Sequence, residues 1–181
     1  MAASPDIFAL SDADPSQARE SFRTVADVLF TQLPHAEIEH VGSTAVPGCL
    51  TKGDIDVLVR VTRPDFGASM LALDQMLTRS TRNERTDEYA EYDYAFDGIA
   101  ASVQLVVAGS GLDNHFHGLK AILTSDEEAL AKFNVLKTRC AGGSMTAYRG
   151  AKANLIESFL KAHPSLSVDP THIALRPGIY E

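Results

Sequence analysis

Apolar residues recur at Ala18, Phe22, Val25, Ala26 and Leu29, the spacing of one buried helix face. Asp14 or Ser11 is placed to close the loop before this helix, Pro15 suits its first turn, and Pro34 ends it. The period then shortens. Residues 37–41 predict a short strand, and residues 54–61 a second, with Ile55, Val57 and Val59 on one face and Leu58 adding apolar character to the other. Phe66, Met70, Leu73 and Leu77 predict an amphipathic helix over 65–79, followed by a polar loop over 78–88. Two strands, 89–96 and 99–107, flank Asp97-Gly98, a strong hairpin turn. Residues 109–117 read as a loop.

The last third turns helical. Ser125 and Glu128 form a capping-box pattern for a helix over about 126–140, with Leu130, Phe133, Val135 and Leu136 as its apolar positions. Gly142-Gly143 breaks it, and Ser144 is placed to cap a last helix over about 145–162 carrying Tyr148, Leu155, Ile156 and Phe159. After Pro164 periodicity fades. The pattern predicts an α+β fold, a small mixed β-sheet backed by helices with a C-terminal helical region. The expected division is a core over 1–118, a helical region over 119–163 and an irregular tail over 164–181.

The chain has 181 residues, enough for one real core. Two cysteines make no disulfide framework, and the acidic N-terminus lacks a signal peptide's basic start. With no apolar run near the ~20 residues of a membrane span, the expected location is cytoplasmic. A formal charge of -8 disfavours broad, salt-driven attachment to nucleic acid or anionic lipid, but leaves room for a local nucleotide site. The mixed-sign segment with Arg79, Arg82 and Arg85 reads as a solvated loop.

The most specific chemistry lies in 41–59, VGSTAVPGCLTKGDIDVLV. Gly42 allows close approach of a phosphate. Ser43 and Thr44 offer hydroxyls and backbone N–H groups to phosphate oxygens. Asp54 and Asp56 alternate along a strand, so both carboxylates can serve one Mg²⁺. An acidic pair facing the core needs a metal, a base or an open cleft nearby. Lys52 can neutralise the acids or contact phosphate, and His40 can touch a substrate or fix the loop. Cys49 reads as a small filler.

This segment resembles the nucleotidyltransferase superfamily, with its Gly-Ser turn, spacer and Asp-x-Asp strand. More narrowly, IEHVGSTAVPG with Lys52 and IDVLV looks like the GrpB (UPF0157-like) family, as do 119–137, ending in a Leu-Lys pair, and YRGAKANLIESFL with Tyr148, Lys152 and Ile156. The resemblance implies that Gly42 and Ser43 hold a triphosphate and that Asp54 and Asp56 bind Mg²⁺. It implies an NTP as substrate or ligand, and transfer of a nucleoside monophosphate to an unknown acceptor. It also places Lys152 against a phosphate and Tyr148 in a stacking or hydrogen-bonding role. The superfamily's third acid falls on Gln104 here, and an amide cannot act as a general base. Asp93 and Asp97 are the candidates to replace it. Two other functions stay open: a non-catalytic nucleotide-binding module, and a metal-dependent hydrolase built on His115 and His117, which share a face if the preceding strand persists that far.

Overall fold

The computed structural model describes residues 6–12, 14–164 and 175–181. Helix α1 (Pro15–Gln32) is capped by Asp14, whose side chain accepts from the Ser16 N–H at 2.8 Å. Strands β1 (Glu37–Val41) and β2 (Ile55–Val61) pair antiparallel. Between them a single 3-10 turn spans Ser43–Ala45. Helix α2 (Arg63–Met76) leads to a two-residue strand β3 (Thr78–Arg79). The hairpin β4 (Tyr89–Phe96) and β5 (Ile99–Val107) turns at Asp97-Gly98, both at positive φ, as the Asp-Gly signal requires. Three helices follow, α3 (Gly111–Ser125), α4 (Glu127–Cys140) and α5 (Met145–Ala162). A final strand, β6 (Gly178–Tyr180), returns to the sheet.

The strand order is β3-β4-β5-β2-β1-β6. β2 runs parallel to β5, and β1 parallel to β6. One face carries Ile38, Val57, Val59, Val103, Leu105 and Tyr92, and is covered by α1 and α2 through Phe22, Val25, Leu29, Phe66 and Leu73. The other face carries Leu58, Val41, Val106 and Tyr89 and then turns polar. A second apolar cluster, built from α3, α4 and α5 around Phe133, Ile122 and Ile156, reaches the turn region through Val46.

Four expectations are corrected. Residues 111–117 belong to α3, not to a loop. Ser110 caps that helix by accepting from the Asp113 N–H at 3.2 Å, and Asp113 is fully buried because it takes both Nε and Nη2 of Arg60, at 2.7 and 2.9 Å. The cap of α4 is Asp126, accepting from the Ala129 N–H at 3.0 Å; the Ser125 hydroxyl instead donates back to Ala121 at 2.8 Å. On α4 the buried face is Ala129, Phe133 and Lys137, while Val135 is exposed. The tail is not irregular throughout: residues 165–174 lie outside the described residues, but 178–180 form β6. Its register on β1 is helped by Gly178 N–H donating to the Ala36 carbonyl at 3.1 Å and by ion pairs from Arg19 and Arg23 to Glu181.

Candidate functional site

The sharp bend after β1 is set by Gly42, at φ 74 and ψ −168, a region L-residues avoid. A Cβ there would also collide with the Asp56 carboxylate. Glycine is therefore needed twice, and the bend is pressed directly against the acid it was expected to accompany.

The bend is held from both sides. On the α1 side, the buried His40 ring stacks on Phe22, centroids 4.6 Å apart. His40 Nε2 lies 3.0 Å from the Thr44 hydroxyl, which donates to the Asp54 carbonyl at 3.0 Å. With the hydroxyl proton committed, Nε2 must be the donor. Burial, with the charge of Lys120 adding to it, pushes the His40 pKa down to about 4. His40 fixes the loop and does not line the cavity described below.

On the helical side, Lys137 is buried on α4 and points its ammonium over the Phe133 ring, 4.6 Å from the centroid. It donates to the Ser43 hydroxyl and to the Leu50 carbonyl, and Cys49 Sγ lies 3.4 Å away. Burial pushes its pKa down, partly offset by Cys49. One turn away, Asn134 accepts from the Leu50 N–H at 2.8 Å and donates to the Gly48 carbonyl at 2.9 Å. The loop between the Gly-Ser turn and the acids is thus fastened to α4.

The acids sit at the mouth of β2. Asp54 lies one residue before the strand, exposed and paired with Lys52. Asp56 is half-buried in the strand; burial pushes its carboxyl up, while Lys152 counters, Asp54 adds to the rise and a hydrogen bond from the Gln104 side chain opposes it. Both line one open cavity of about 730 Å³ together with Ser43, Lys52, Tyr148 and Lys152. Tyr148 stacks on Phe8, centroids 3.8 Å apart, and burial raises its hydroxyl pKa. Thr44 faces the loop's own interior through the contacts above. Among the described residues no three of His, Cys, Asp and Glu converge on a metal position. Asp54 and Asp56 are the carboxylates on this side of the cavity, oxygen donors of the type a hard cation takes.

The far wall is built by β4 and β5. Gln104 stands opposite Leu58 on one side and Glu91 on the other; Ser102 stands between Asp56 and Asp93. The Gln104 amide donates to the Ser102 hydroxyl at 2.9 Å, which donates to Glu91 Oε1 at 3.1 Å. Glu91 is the buried carboxylate nearest Gln104 in register. Asp93 and Asp97 are the candidates in the sequence for a replacement acid. Asp93 does line the cavity, whereas Asp97 occupies the hairpin turn. Arg82, from the segment read as a solvated loop, reaches in: Nε donates to Glu91 at 2.8 Å, and Nη2 to Asp93 at 2.6 Å and to Ser102 at 3.2 Å.

The expected histidine pair does not form. On α3, residues two apart point about 200° from each other. His117 Nδ1 pairs with Glu39 at 2.7 Å, and that bond raises its pKa; His115 packs edge-on to Phe116, and burial lowers its pKa.

Residues 8–162 match the family model described as GrpB protein. The chain belongs to the GrpB family. Across 129 residues it is 31% identical to a UPF0157 protein of Vibrio cholerae, covering 71% of this chain and 68% of that one. The crystal structure of the conserved GrpB protein from Enterococcus faecalis superposes with a TM-score of 0.66 at 18% identity, covering 85% of this chain and 98% of that one, so the GrpB fold is shared. A poly(U) polymerase, Cid1, with Mg and 3'-dATP bound matches at a TM-score of 0.47 and 15% identity, over 71% of this chain and 42% of that one. In this member of the GrpB family, Lys137 and Asn134 carry the loop contacts that the motif alone did not disclose. The only sequence signal was the Leu-Lys pair at the end of 119–137.

Proposed function

We propose that the protein binds a nucleoside triphosphate with Mg²⁺ and transfers its nucleoside monophosphate to an acceptor hydroxyl, releasing pyrophosphate. The observation that carries this reading is the apposition of Gly42 to the Asp56 carboxylate, with Ser43 clamped by Lys137 at the same cavity edge. Gly42, Ser43 and the following N–H groups hold phosphate oxygens. Lys52 and Lys152 balance their charge. Asp54 and Asp56 would hold the ion, which supplies charge neutralisation for the triphosphate and its leaving group. When the acceptor oxygen bonds to the α-phosphorus, the bond to pyrophosphate breaks and the acceptor's proton passes to water in the open cavity. The Gln104 amide cannot take that proton.

Calorimetric titration of Mg·ATP into the wild-type protein, Asp56→Asn and Lys137→Met tests the site. Both variants are expected to bind at least about tenfold more weakly; equal affinity in Asp56→Asn overturns the assignment. A second reading, binding without transfer, is favoured by Gln104 at the third acidic position and by Arg82 neutralising Glu91. It predicts tight Mg·ATP binding with no pyrophosphate release across an acceptor panel, and a gain of release in Gln104→Asp.

A further inference from the structure

The cavity has two chemically different ends. Beside the Gly-Ser turn stand the cations Lys52, Lys137 and Lys152; the β4–β5 wall offers acceptors. Glu91 is 7% exposed and Asp93 half-buried, and both line the space. Gln104, 5% exposed, lines the same wall, and its buried Oε1 has no hydrogen-bond partner among the described residues. An orphaned acceptor of this kind is costly unless something donates to it.

The wall's present occupant is a guanidinium. Arg82 comes from a segment without regular structure, and its side chain is 44% exposed. Its Nη2 also touches Ser102, the register partner of Asp56. A planar cation therefore already rests one strand from the proposed metal-binding acid. Burial opposes ionisation of Glu91, but the bonds from Asn83 and Arg82 outweigh it and hold the carboxyl below its ordinary range. A carboxylate that stays charged is suited to holding a cation and poorly suited to taking up a proton.

We infer that this wall is the acceptor subsite, and that the acceptor carries an ammonium or guanidinium group which displaces Arg82 from Glu91 and Asp93 and donates to Gln104 Oε1. That the cation belongs to an acceptor rests on the proposed transfer; the cation site itself does not. Exchange of one cation for another leaves the buried carboxylate paired rather than stranded. Arg82, on its exposed segment, returns to water.

Putrescine and 1,4-butanediol have the same length and differ in charge. They are titrated by calorimetry or ¹H–¹⁵N NMR into the wild-type protein and into Arg82→Ala, Asp93→Asn and Gln104→Leu, with and without saturating Mg·ATP. Putrescine is expected to bind Arg82→Ala at least about tenfold more tightly than wild type, because no internal cation competes. Asp93→Asn and Gln104→Leu each weaken it by about tenfold, and butanediol does not bind. Asp93→Asn should weaken putrescine at least fivefold more than it weakens Mg·ATP, a threshold of about 1 kcal/mol. If Arg82→Ala fails to fold, Asp93→Asn and Gln104→Leu carry the test alone. Equal binding of the diol, unchanged putrescine affinity in both variants, or complete displacement by Mg·ATP overturns the inference; the last would mean that the cation sits on Asp54 and Asp56. Failure of Mg·ATP to bind wild type while putrescine still binds would sink the transferase reading and leave the cation site standing.

Discussion

Two residues near the bend show how single positions decide the site. Gly42 has both a positive φ and the Asp56 carboxylate where a β-carbon would stand. Gly42→Ala is expected to cost more than about 2 kcal/mol through combined backbone strain and overpacking, lowering the thermal midpoint and weakening Mg·ATP. A variant with wild-type melting would overturn this. His40 makes a pH prediction. Its folded pKa, about 4, lies below the ordinary histidine value of 6.5, so the unfolded chain binds the proton more readily. The stability it protects is complete above 6.5 and is lost as pH falls towards 4, by about 3 kcal/mol. His117, whose pKa is raised by Glu39, acts oppositely, stabilising at low pH and losing that as pH rises through its folded value. Urea midpoints across pH 4–7 should therefore fall less steeply in His40→Phe, where a ring still stacks on Phe22.

At the scale of elements, α4 acts as a clamp. Its first turn is set by Asp126, and its buried face ends in Lys137, which grips the loop carrying Ser43 and Leu50. Asp126→Ala is expected to cost about 1 kcal/mol in chemical denaturation, whereas Ser125→Ala should cost under half of that; the reverse order would restore the capping box read from sequence. The element order was largely readable because α1, β1, β2, the β4–β5 hairpin and α5 each have a clean period and a clear stop. The start of α3 was not. Gly111, Asn114 and His115 are poor helix formers, and what holds Asp113 in the first turn is Arg60, 53 residues away. Local propensity carries no trace of such a partner.

At the scale of the whole molecule, β6 closes the edge of the sheet beside β1. The ion pairs of Glu181 with Arg19 and Arg23 are exposed and contribute little. Burial of Ile179 against the core and the parallel pairing contribute more. Deleting residues 175–181 is expected to destabilise the protein by about 1–3 kcal/mol and to bare the β1 edge, which invites association. Denaturation curves and sedimentation at several concentrations check both effects; an unchanged midpoint would show β6 to be dispensable. No helix among the described residues is long and apolar enough to cross a membrane.

Sequence by itself determined the parts whose chemistry is local. The Gly-Ser bend, the alternation that brings Asp56 to the surface of a strand, and the family likeness all sit within short stretches of chain. Tertiary structure alone decided which distant groups complete the cavity. Lys137 reaches Ser43 across 94 residues, and Arg82 meets Glu91 and Asp93 from a segment with no period of its own. Burial of a lysine, or capture of an arginine by two carboxylates, depends on the dielectric and the partners around it, and these exist only once the sheet and helices have packed.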